Sequence, residues 1–166
     1  MNNLISVIMS VFNGEKYISE AIESILNQSY SNFEFLIIDD CSIDNTPNVI
    51  IHFKEKDSRI KYFQNTTNKG LTKNLNFLLE KANGKYIARM DADDIAHPRR
   101  LEKQLKFLNQ NPNIDIIGAF CKNIDENGNE LGRRHVPIYH EQIIKLLPQL
   151  NPISHPTVMY RKQSII

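Results

Sequence analysis

The chain has 166 residues, 41% of them hydrophobic, and a formal net charge of +1 at pH 7. This length suits one globular domain with a substantial core, and the near-neutral charge argues against a general nucleic-acid-binding protein. The two cysteines are far apart and form neither a metal pattern nor a disulfide framework, which favours a reducing, cytoplasmic location. No apolar run is long enough to cross a membrane, and the first residues lack the order of a signal peptide.

The first part of the chain alternates between apolar runs of strand length and amphipathic runs with helical spacing. Strands are predicted over residues 4–11, 33–38 and 59–63 and in the apolar stretch after Gly84. Helices are predicted over residues 15–28, from Thr46-Pro47 onwards, and from Leu71 to about Gly84. Such alternation predicts a three-layer α/β fold with a mainly parallel sheet.

The later part of the chain is less regular. The predicted elements are a helix from Pro98 to about Asn111, a strand over 114–120, a two-residue hairpin turn at Asn127-Gly128, a helix over 138–147 and an extended segment over 152–161. The hairpin predicts that the sheet is mixed. Because Ile165-Ile166 leaves an apolar end without a closing element, we expect the natural domain to continue beyond it.

Carboxylates follow two of the predicted strands. Asp39 and Asp40 end one strand, and Asp91, Asp93 and Asp94 end another within four residues. Carboxyl ends of parallel strands face the same crevice, where α/β sheets bind ligands. Like charges so close together are costly unless a cation or water neutralises them. A divalent cation that also contacts substrate phosphates is therefore predicted at Asp91-Ala92-Asp93.

These acidic residues also allow purely structural interpretations. Asp39, Asp40 and Asp44 also suit loop and helix-cap positions, and the second cluster could be a solvated turn. A calcium loop starting at Asp91 fails, because Ile95 and Ala96 stand where an oxygen ligand and a glycine are needed.

Five motifs in register resemble family 2 glycosyltransferases. They are Ser6–Asn13, Ile22–Gln28, Ile38–Thr46, Asn68-Lys69-Gly70 and Met90–Asp94 with Pro98–Leu101, and together they cover most of residues 4–120. The resemblance implies a GT-A fold, a nucleotide-sugar donor, a divalent metal (Mn²⁺ or Mg²⁺) and inversion at the anomeric carbon. It also implies one catalytic domain, with residues 1–120 binding donor and metal and residues 121–166 beginning the acceptor-side half.

The resemblance assigns residues to the site by position. Ser10, Val11 and Phe12 would line the nucleotide pocket, and Asp40 would contact the base, with Asp39 more structural. Asp91-Ala92-Asp93 matches the family's DXD motif: Asp93 would be the main metal ligand and Asp91 would lie nearer the ribose and phosphate. The residues implied for nucleotide and metal are Ser10, Val11, Phe12, Asp40, Lys73, Asp91, Ala92 and Asp93.

Several positions carry a second interpretation or depart from the family. Lys73 is either a nucleotide contact or a solvated helix lysine. His155 is either a site residue or a packing residue, and His97 is either a metal contact or, as its place before a helix favours, a helix-cap residue. Arg89 is predicted to pair with a neighbouring acid. Ser10 and Phe12 replace the usual proline and tyrosine.

An inverting transferase needs a general base. In this family the base is an acidic residue beyond the segment that resembles residues 154–161, and no acidic residue follows Glu141. We therefore expect the base to lie beyond Ile166, and we expect these 166 residues to bind the donor with little or no transfer.

The predicted function is a metal-dependent transferase that uses a nucleotide sugar, with uridine as the leading base, and a glycan or lipid-linked acceptor in cell-surface polysaccharide synthesis. Peripheral association with the inner face of the membrane, through the part beyond residue 166, is also expected. The alternatives are a non-catalytic nucleotide-binding module and a nucleotidylyltransferase, although Phe12–Glu15 lacks the glycine-rich, arginine-containing loop of the latter. A dinucleotide dehydrogenase is disfavoured because no G-x-G-x-x-G follows the first strand.

Overall fold

The protein is described as a computed structural model that covers residues 3–165. Eight strands and five helices lie along these residues. The strands are β1 (Ile5–Val11), β2 (Phe33–Asp39), β3 (Ile60–Gln64), β4 (Tyr86–Arg89), β5 (Ile116–Ile117), β6 (Cys121–Ile124), β7 (Glu130–Arg134) and β8 (Met159–Arg161). The helices are α1 (Ile18–Leu26), α2 (Thr46–Lys56), α3 (Leu71–Lys81), α4 (Arg100–Gln110) and α5 (His140–Leu146).

A six-stranded central sheet has the order β3-β2-β1-β4-β8-β5. The first four of these strands are mutually parallel, whereas β8 is antiparallel to both neighbours. The predicted mixed, mainly parallel sheet is therefore confirmed. Strand β2 is buried along all seven residues, as a central strand covered on both faces must be.

Helices cover both faces of this sheet. On one face, α1, α2 and α4 bury apolar side chains such as Ile22, Ile50 and Leu105 against the inward residues of β1 and β2. On the other face, α3 buries Leu78 against Ile8 and Leu36. Because two cores flank one sheet, the fold has the three α/β/α layers that the sequence predicted. No helix within residues 3–165 combines the length and apolarity needed to cross a bilayer.

Three predicted boundaries need correction. Helix α1 starts at Ile18 rather than residue 15, because the N–H groups of Tyr17 and Ile18 both turn back to the carbonyl of Gly14. Helix α4 starts at Arg100, since the carbonyl of Pro98 is directed away to the N–H of Ser29. The strand predicted over 114–120 shrinks to β5, because its partner β8 has only three residues. Ile166 lies outside the described residues.

The hairpin is present, but its turn differs from the prediction. Ile124 pairs with Glu130, so the loop has five residues instead of two. A type I′ turn needs positive φ at both central residues, and in this loop only Gly128 has one (81°). The Asp125 carboxylate organises the loop by accepting the N–H groups of Asn127 and Asn129, at 2.9 and 2.8 Å. The hairpin forms a separate two-stranded sheet, so the mixed character of the main sheet comes from β8.

A buried carboxylate ties the start of the sheet together. Glu34 on β2 accepts hydrogen bonds from Ser6 Oγ on β1 (2.5 Å), Lys61 Nζ on β3 (2.6 Å) and the N–H of Asn83 (2.6 Å). Ser6 Oγ in turn accepts the N–H of Gly84, where any Cβ would lie 2.5 Å from the Ser6 backbone nitrogen. Burial raises the pKa of Glu34, but these hydrogen bonds outweigh it and bring the pKa down to about 2.

We predict that Glu34→Gln lowers the free energy of unfolding at pH 7 by about 1–3 kcal/mol, because the amide cannot accept all of these hydrogen bonds. A depressed carboxylate pKa stabilises the fold above the unfolded-state value and loses that contribution as pH falls towards the folded value. The difference from wild type should therefore shrink between pH 4.5 and pH 2. Urea unfolding at several pH values measures it, with the exposed Glu80→Gln as control. A difference that persisted unchanged at low pH would contradict the assignment.

Candidate active site at the carboxyl edge of the sheet

Strand register brings the two acidic groups to the same edge of the sheet. Val11 of β1 pairs with Asp39 of β2, and Ile8 of β1 pairs with Arg89 of β4. The chain leaves β4 through Met90, whose N–H donates to the carbonyl of Ile8. Asp40 and the Asp91–Asp94 segment therefore flank the end of β1, as the sequence predicted for one shared crevice.

Two loops at this edge are joined by hydrogen bonds. After β1, the N–H groups of Asn13 and Gly14 donate to Ser42 Oγ (2.9 Å) and Thr46 Oγ1 (2.8 Å), which lie after β2. In return, Asn13 Oδ1 accepts the N–H of Ile43 at 3.0 Å. These contacts hold Phe12 with 51% of its surface exposed beside the crevice. An exposed aromatic ring on such a fixed loop can stack on a planar ligand.

The adjacent Asp39 and Asp40 have different partners. Asp39 is fully buried and accepts hydrogen bonds from the Ser42 N–H (3.2 Å) and Gln64 Nε2 (3.1 Å). These contacts fit the more structural role expected for Asp39. Asp44 also has a loop role, since Oδ1 accepts the N–H of Thr46. For Asp39 and Asp44, the loop-and-cap interpretation accounts for the contacts observed.

Asp40 holds the loop before α3 in place. The carboxylate accepts the N–H groups of Lys69 and Gly70 and the amide of Asn65, each at 2.8 Å. Burial raises the pKa of Asp40, but these hydrogen bonds outweigh it and lower the pKa overall. The amide of Asn74 also stabilises the ionised form of Asp40, so a ligand N–H or hydroxyl would have to share a carboxylate oxygen with these donors. The side chain is only 3% exposed, which limits that contact to the crevice rim.

Two asparagines that the sequence analysis missed complete this part of the site. Asn74 Nδ2 donates to Ser10 Oγ at 3.0 Å, and Asn65 Nδ2 donates to Asn74 Oδ1 at 2.7 Å. Asn74 is 1% exposed although it lies on the apolar stripe of α3. A polar residue at a core position of a helix is the signal that could have found it. Lys73, next to it, is exposed to solvent.

The acidic segment after β4 is electrostatically unfavourable. Burial and the neighbouring Asp91 and Asp93 raise the pKa of Asp94 to about 6. Burial and Asp93 also raise the pKa of Asp91, although Arg89 opposes this. Ala92 packs against the core between them, while Asp93 is exposed. Carboxylates whose ionised forms are destabilised in this way gain most from a bound cation.

Arg89 pairs with the acid predicted for it. The side chain is 8% exposed and Nη2 donates to Asp91 Oδ1 at 2.8 Å. Arg100 lies behind, and Nη2 donates to the backbone carbonyls of Arg89 (2.7 Å) and Val158 (3.3 Å). Burial lowers the pKa of Arg100 to about 10, which leaves it charged at pH 7. Arg100 therefore links the ends of β4 and β8 and places positive charge under the acidic segment.

The donor set suits a hard divalent cation that is completed by a ligand. Within residues 3–165, no three histidine, cysteine or acidic side chains are arranged as a ready metal site. Mg²⁺ and similar ions, however, are commonly held by one or two carboxylates together with substrate phosphates. One oxygen of Asp91 is engaged by Arg89, so exposed Asp93 is better placed to bind a cation directly.

His97 and His155, the two histidines considered for the site, have different surroundings. His97 Nδ1 accepts the N–H of Arg99 and the His97 carbonyl accepts that of Arg100, so His97 organises the turn before α4, although the N-cap itself is Arg99. His155 is exposed and its Nε2 contacts the amide of Asn151 at 2.5 Å. It also lies near enough to Asp91 to lower the pKa of that carboxyl slightly.

Comparison with known proteins identifies the family. The family described as "Glycosyl transferase family 2" matches residues 6–166. The chain belongs to glycosyl transferase family 2. It is 42% identical over 158 residues to the "Putative glycosyltransferase EpsE" of Bacillus subtilis, covering 95% of this chain and 56% of that protein. It is 38% identical over 167 residues to the "O-antigen biosynthesis glycosyltransferase WbnJ" of Escherichia coli, covering 99% of this chain and 64% of that protein.

Solved structures place the fold. S. aureus TarS 1-349 in complex with UDP-GlcNAc superimposes with a TM-score of 0.75 at 26% identity, over 95% of this chain and 45% of that one. The architecture is thus the GT-A fold that the resemblance implied. The family 2 chain described here spans 56% and 64% of the length of these two relatives.

We predict that Arg89→Met raises the pKa of both Asp91 and Asp94. In the unsubstituted protein the Arg89 guanidinium favours the ionised forms of both carboxyl groups, and the substitution removes that effect. Carboxyl ¹³C shifts followed through a pH titration measure both groups. Arg99→Met is the matched control, since Arg99 is exposed and pairs with Glu102 on α4. Unchanged titration of Asp91 in Arg89→Met would show that the ion pair does not control the acidic segment.

Proposed function

We propose that this chain is the donor-binding part of an inverting glycosyltransferase that moves a sugar from a nucleotide sugar to a glycan or lipid-linked acceptor. The observation that carries the proposal is the placement of Asp40 and the Asp91–Asp94 segment on either side of β1. On the Asp40 side, hydrogen-bonded loops form a fixed rim. On the Asp91–Asp94 side, a cation would stabilise the ionised carboxylates. A ligand with a base at one end and a diphosphate at the other therefore fits the crevice.

The nucleotide would lie against the joined loops. Phe12 would offer its exposed ring to the base, and an oxygen of Asp40 at the crevice rim would accept the N–H of a uracil. Ser10 and Val11 form the floor at the end of β1, and Lys73 stands near the entrance on α3. UDP in the related TarS structure supports uridine as the base.

The diphosphate and the cation would lie over the acidic segment. Asp93 would bind Mn²⁺ or Mg²⁺ directly, with Asp91 towards the ribose and phosphate and Ala92 allowing close approach. When bound, such a cation stabilises negative charge on the departing diphosphate. Arg89 would orient Asp91 for this contact, because Arg89 Nη2 donates to Asp91 Oδ1 at 2.8 Å and holds the carboxylate in one position.

We propose that the general base lies outside residues 1–166. The family resemblance places the base at an acidic residue beyond the segment that resembles residues 154–161, and no acidic residue follows Glu141 in this chain. We expect the 166-residue chain to bind UDP and to transfer sugar slowly or not at all. Full turnover by this chain alone would contradict that assignment.

The biological setting is proposed from relatives alone. An O-antigen biosynthesis enzyme among the relatives supports a role in cell-surface polysaccharide assembly, in the cytoplasm or at the inner face of the membrane. A non-catalytic nucleotide-binding module would retain the same crevice. Transfer from labelled nucleotide sugars by the full-length gene product separates the two functions.

Calorimetry with UDP, with and without Mn²⁺, tests the proposal. We expect Mn²⁺ to strengthen UDP binding at least tenfold, and we expect Asp93→Asn to remove most of that gain because one charge on the cation's ligand is lost. Asp115→Asn is the matched control, since Asp115 is exposed and lies by Arg161, at the opposite end of β4. UDP binding that is indifferent to Mn²⁺ would overturn the metal-dependent proposal.

The same titration has a predicted pH dependence. Cation binding requires ionised carboxylates, and the raised pKa values of Asp91 and Asp94 (about 6 for Asp94) mean that protons compete below neutrality. Mn²⁺-assisted UDP binding should therefore weaken about tenfold between pH 7 and pH 5. In Mn²⁺-free buffer the UDP affinity should change less, which serves as the internal control.

A further inference from the structure

A cleft lies beside the acidic segment, and Asp40 is not among the residues that line it. It has a volume of about 400 Å³, within the range of small-molecule sites. One wall is the start of α1, with Tyr17 and Glu20, and the floor is formed by Asp93 and Asp94. The opposite wall is the hairpin loop that follows β6. The two carboxylates on the floor belong to the predicted donor site, so a molecule in the cleft would meet the donor's sugar end.

The lining of the cleft combines an aromatic ring with hydrogen-bonding groups. Tyr17 offers a half-exposed ring, and Ile95 and Ile124 add apolar surface. Around them, Glu20 and Glu126 are carboxylates, which accept hydrogen bonds from hydroxyl groups. A flat apolar ring surrounded by acceptors matches a sugar, which has C–H groups on its faces and hydroxyl groups at its rim.

The charge of the lining restricts the ligand further. Glu20, Asp93, Asp94 and Glu126 all line the cleft. Lys16 is the cation at the rim, where Nζ lies 2.7 Å from Glu126 and 5.0 Å from the centre of the Tyr17 ring. Arg89 and Arg100 lie behind Asp94, but together with Lys16 they number three against the five carboxylates of the lining, which also include Asp125. A carboxylate on the ligand would therefore be repelled.

We propose that this cleft is the acceptor subsite and that it binds a neutral saccharide, in preference to an acidic one, next to the donor's sugar. The proposal rests on the transferase function above and adds the location and the charge class of the acceptor. Residues 125–128 of the hairpin form its outer wall. That wall is linked to the donor part through the Lys16–Glu126 pair, in which both side chains are about 60% exposed. Such exposed pairs are weak, so the wall can adjust to the acceptor.

Paramagnetic relaxation tests the location. With Mn²⁺ and UDP bound, protons of methyl β-D-glucoside should relax faster than in a protein-free Mn²⁺–UDP solution, because the cleft floor is the predicted metal site. Methyl β-D-glucuronide differs by one carboxylate and should show little enhancement. Tyr17→Ala should reduce the glucoside effect about fivefold, the size expected for one aromatic contact, whereas Tyr17→Phe should retain it.

Controls separate this inference from the proposed function. Tyr139→Ala removes a tyrosine outside the cleft that is more exposed than Tyr17 (61% against 39%), and it should leave the enhancement unchanged. Glu20→Gln combined with Glu126→Gln should bring the glucuronide towards the glucoside, because the repulsion is reduced. If calorimetry shows Mn²⁺–UDP bound but the glucoside shows no enhancement, or if the two sugars behave alike in the wild type, the acceptor subsite is overturned and the donor site stands. If Mn²⁺–UDP does not bind, the proposed function itself fails.

Discussion

The parallel pairing of β1 with both β2 and β4 is the constraint on which the site depends. β1 packs Val7 and Met9 into one core and Ile8 into the other, so a slip of one residue would exchange side chains between the two cores and separate Ser6 from Glu34, its partner on β2. The register is therefore strongly determined, and with it the positions of Asp40 and Asp91 on either side of the β1 end. Glu34 and Ser6 reinforce this arrangement from the other end of the strands through hydrogen bonds that join β1, β2 and β3.

The pKa values of Asp40 and Asp94 are shifted in opposite directions. Asp40 is buried, yet backbone N–H groups stabilise its ionised form and its pKa falls. Asp94 is buried to a lesser degree but faces other carboxylates, and its pKa rises to about 6. The protein itself stabilises the ionised form of Asp40, whereas the ionised form of Asp94 would be stabilised by a bound cation. This contrast supports the proposal that the β4 end binds a cation while the β2 end builds the rim of the crevice, although both begin as adjacent aspartates in the sequence.

Local patterns predicted the donor part of the fold well. Continuous apolar runs identified β1 and β2, and helical spacing of leucines identified α3 and α4. The errors arose where pairing between distant residues decides the outcome. The length of β5 depends on β8, some 40 residues later, and the hairpin turn depends on the Asp125 carboxylate rather than on Asn127-Gly128 alone. Asn74 was missed because its role is visible only when Ser10 lies opposite it.

The order of strands explains how the later part of the chain comes to flank the site. Strands β5 and β8 are neighbours in the central sheet, yet residues 118–158 leave the sheet after β5 and return only at β8. Arg161 secures the return, because its guanidinium donates to the carbonyls of Leu108 and Ile114. Both ends of this excursion are thus anchored beside the central sheet, while its hairpin contacts the turn before α1 through the exposed Lys16–Glu126 pair. Because the ends are firmly held and the tip is held only weakly, the hairpin keeps its place beside Asp93 and Asp94 and could still adjust to a molecule bound there.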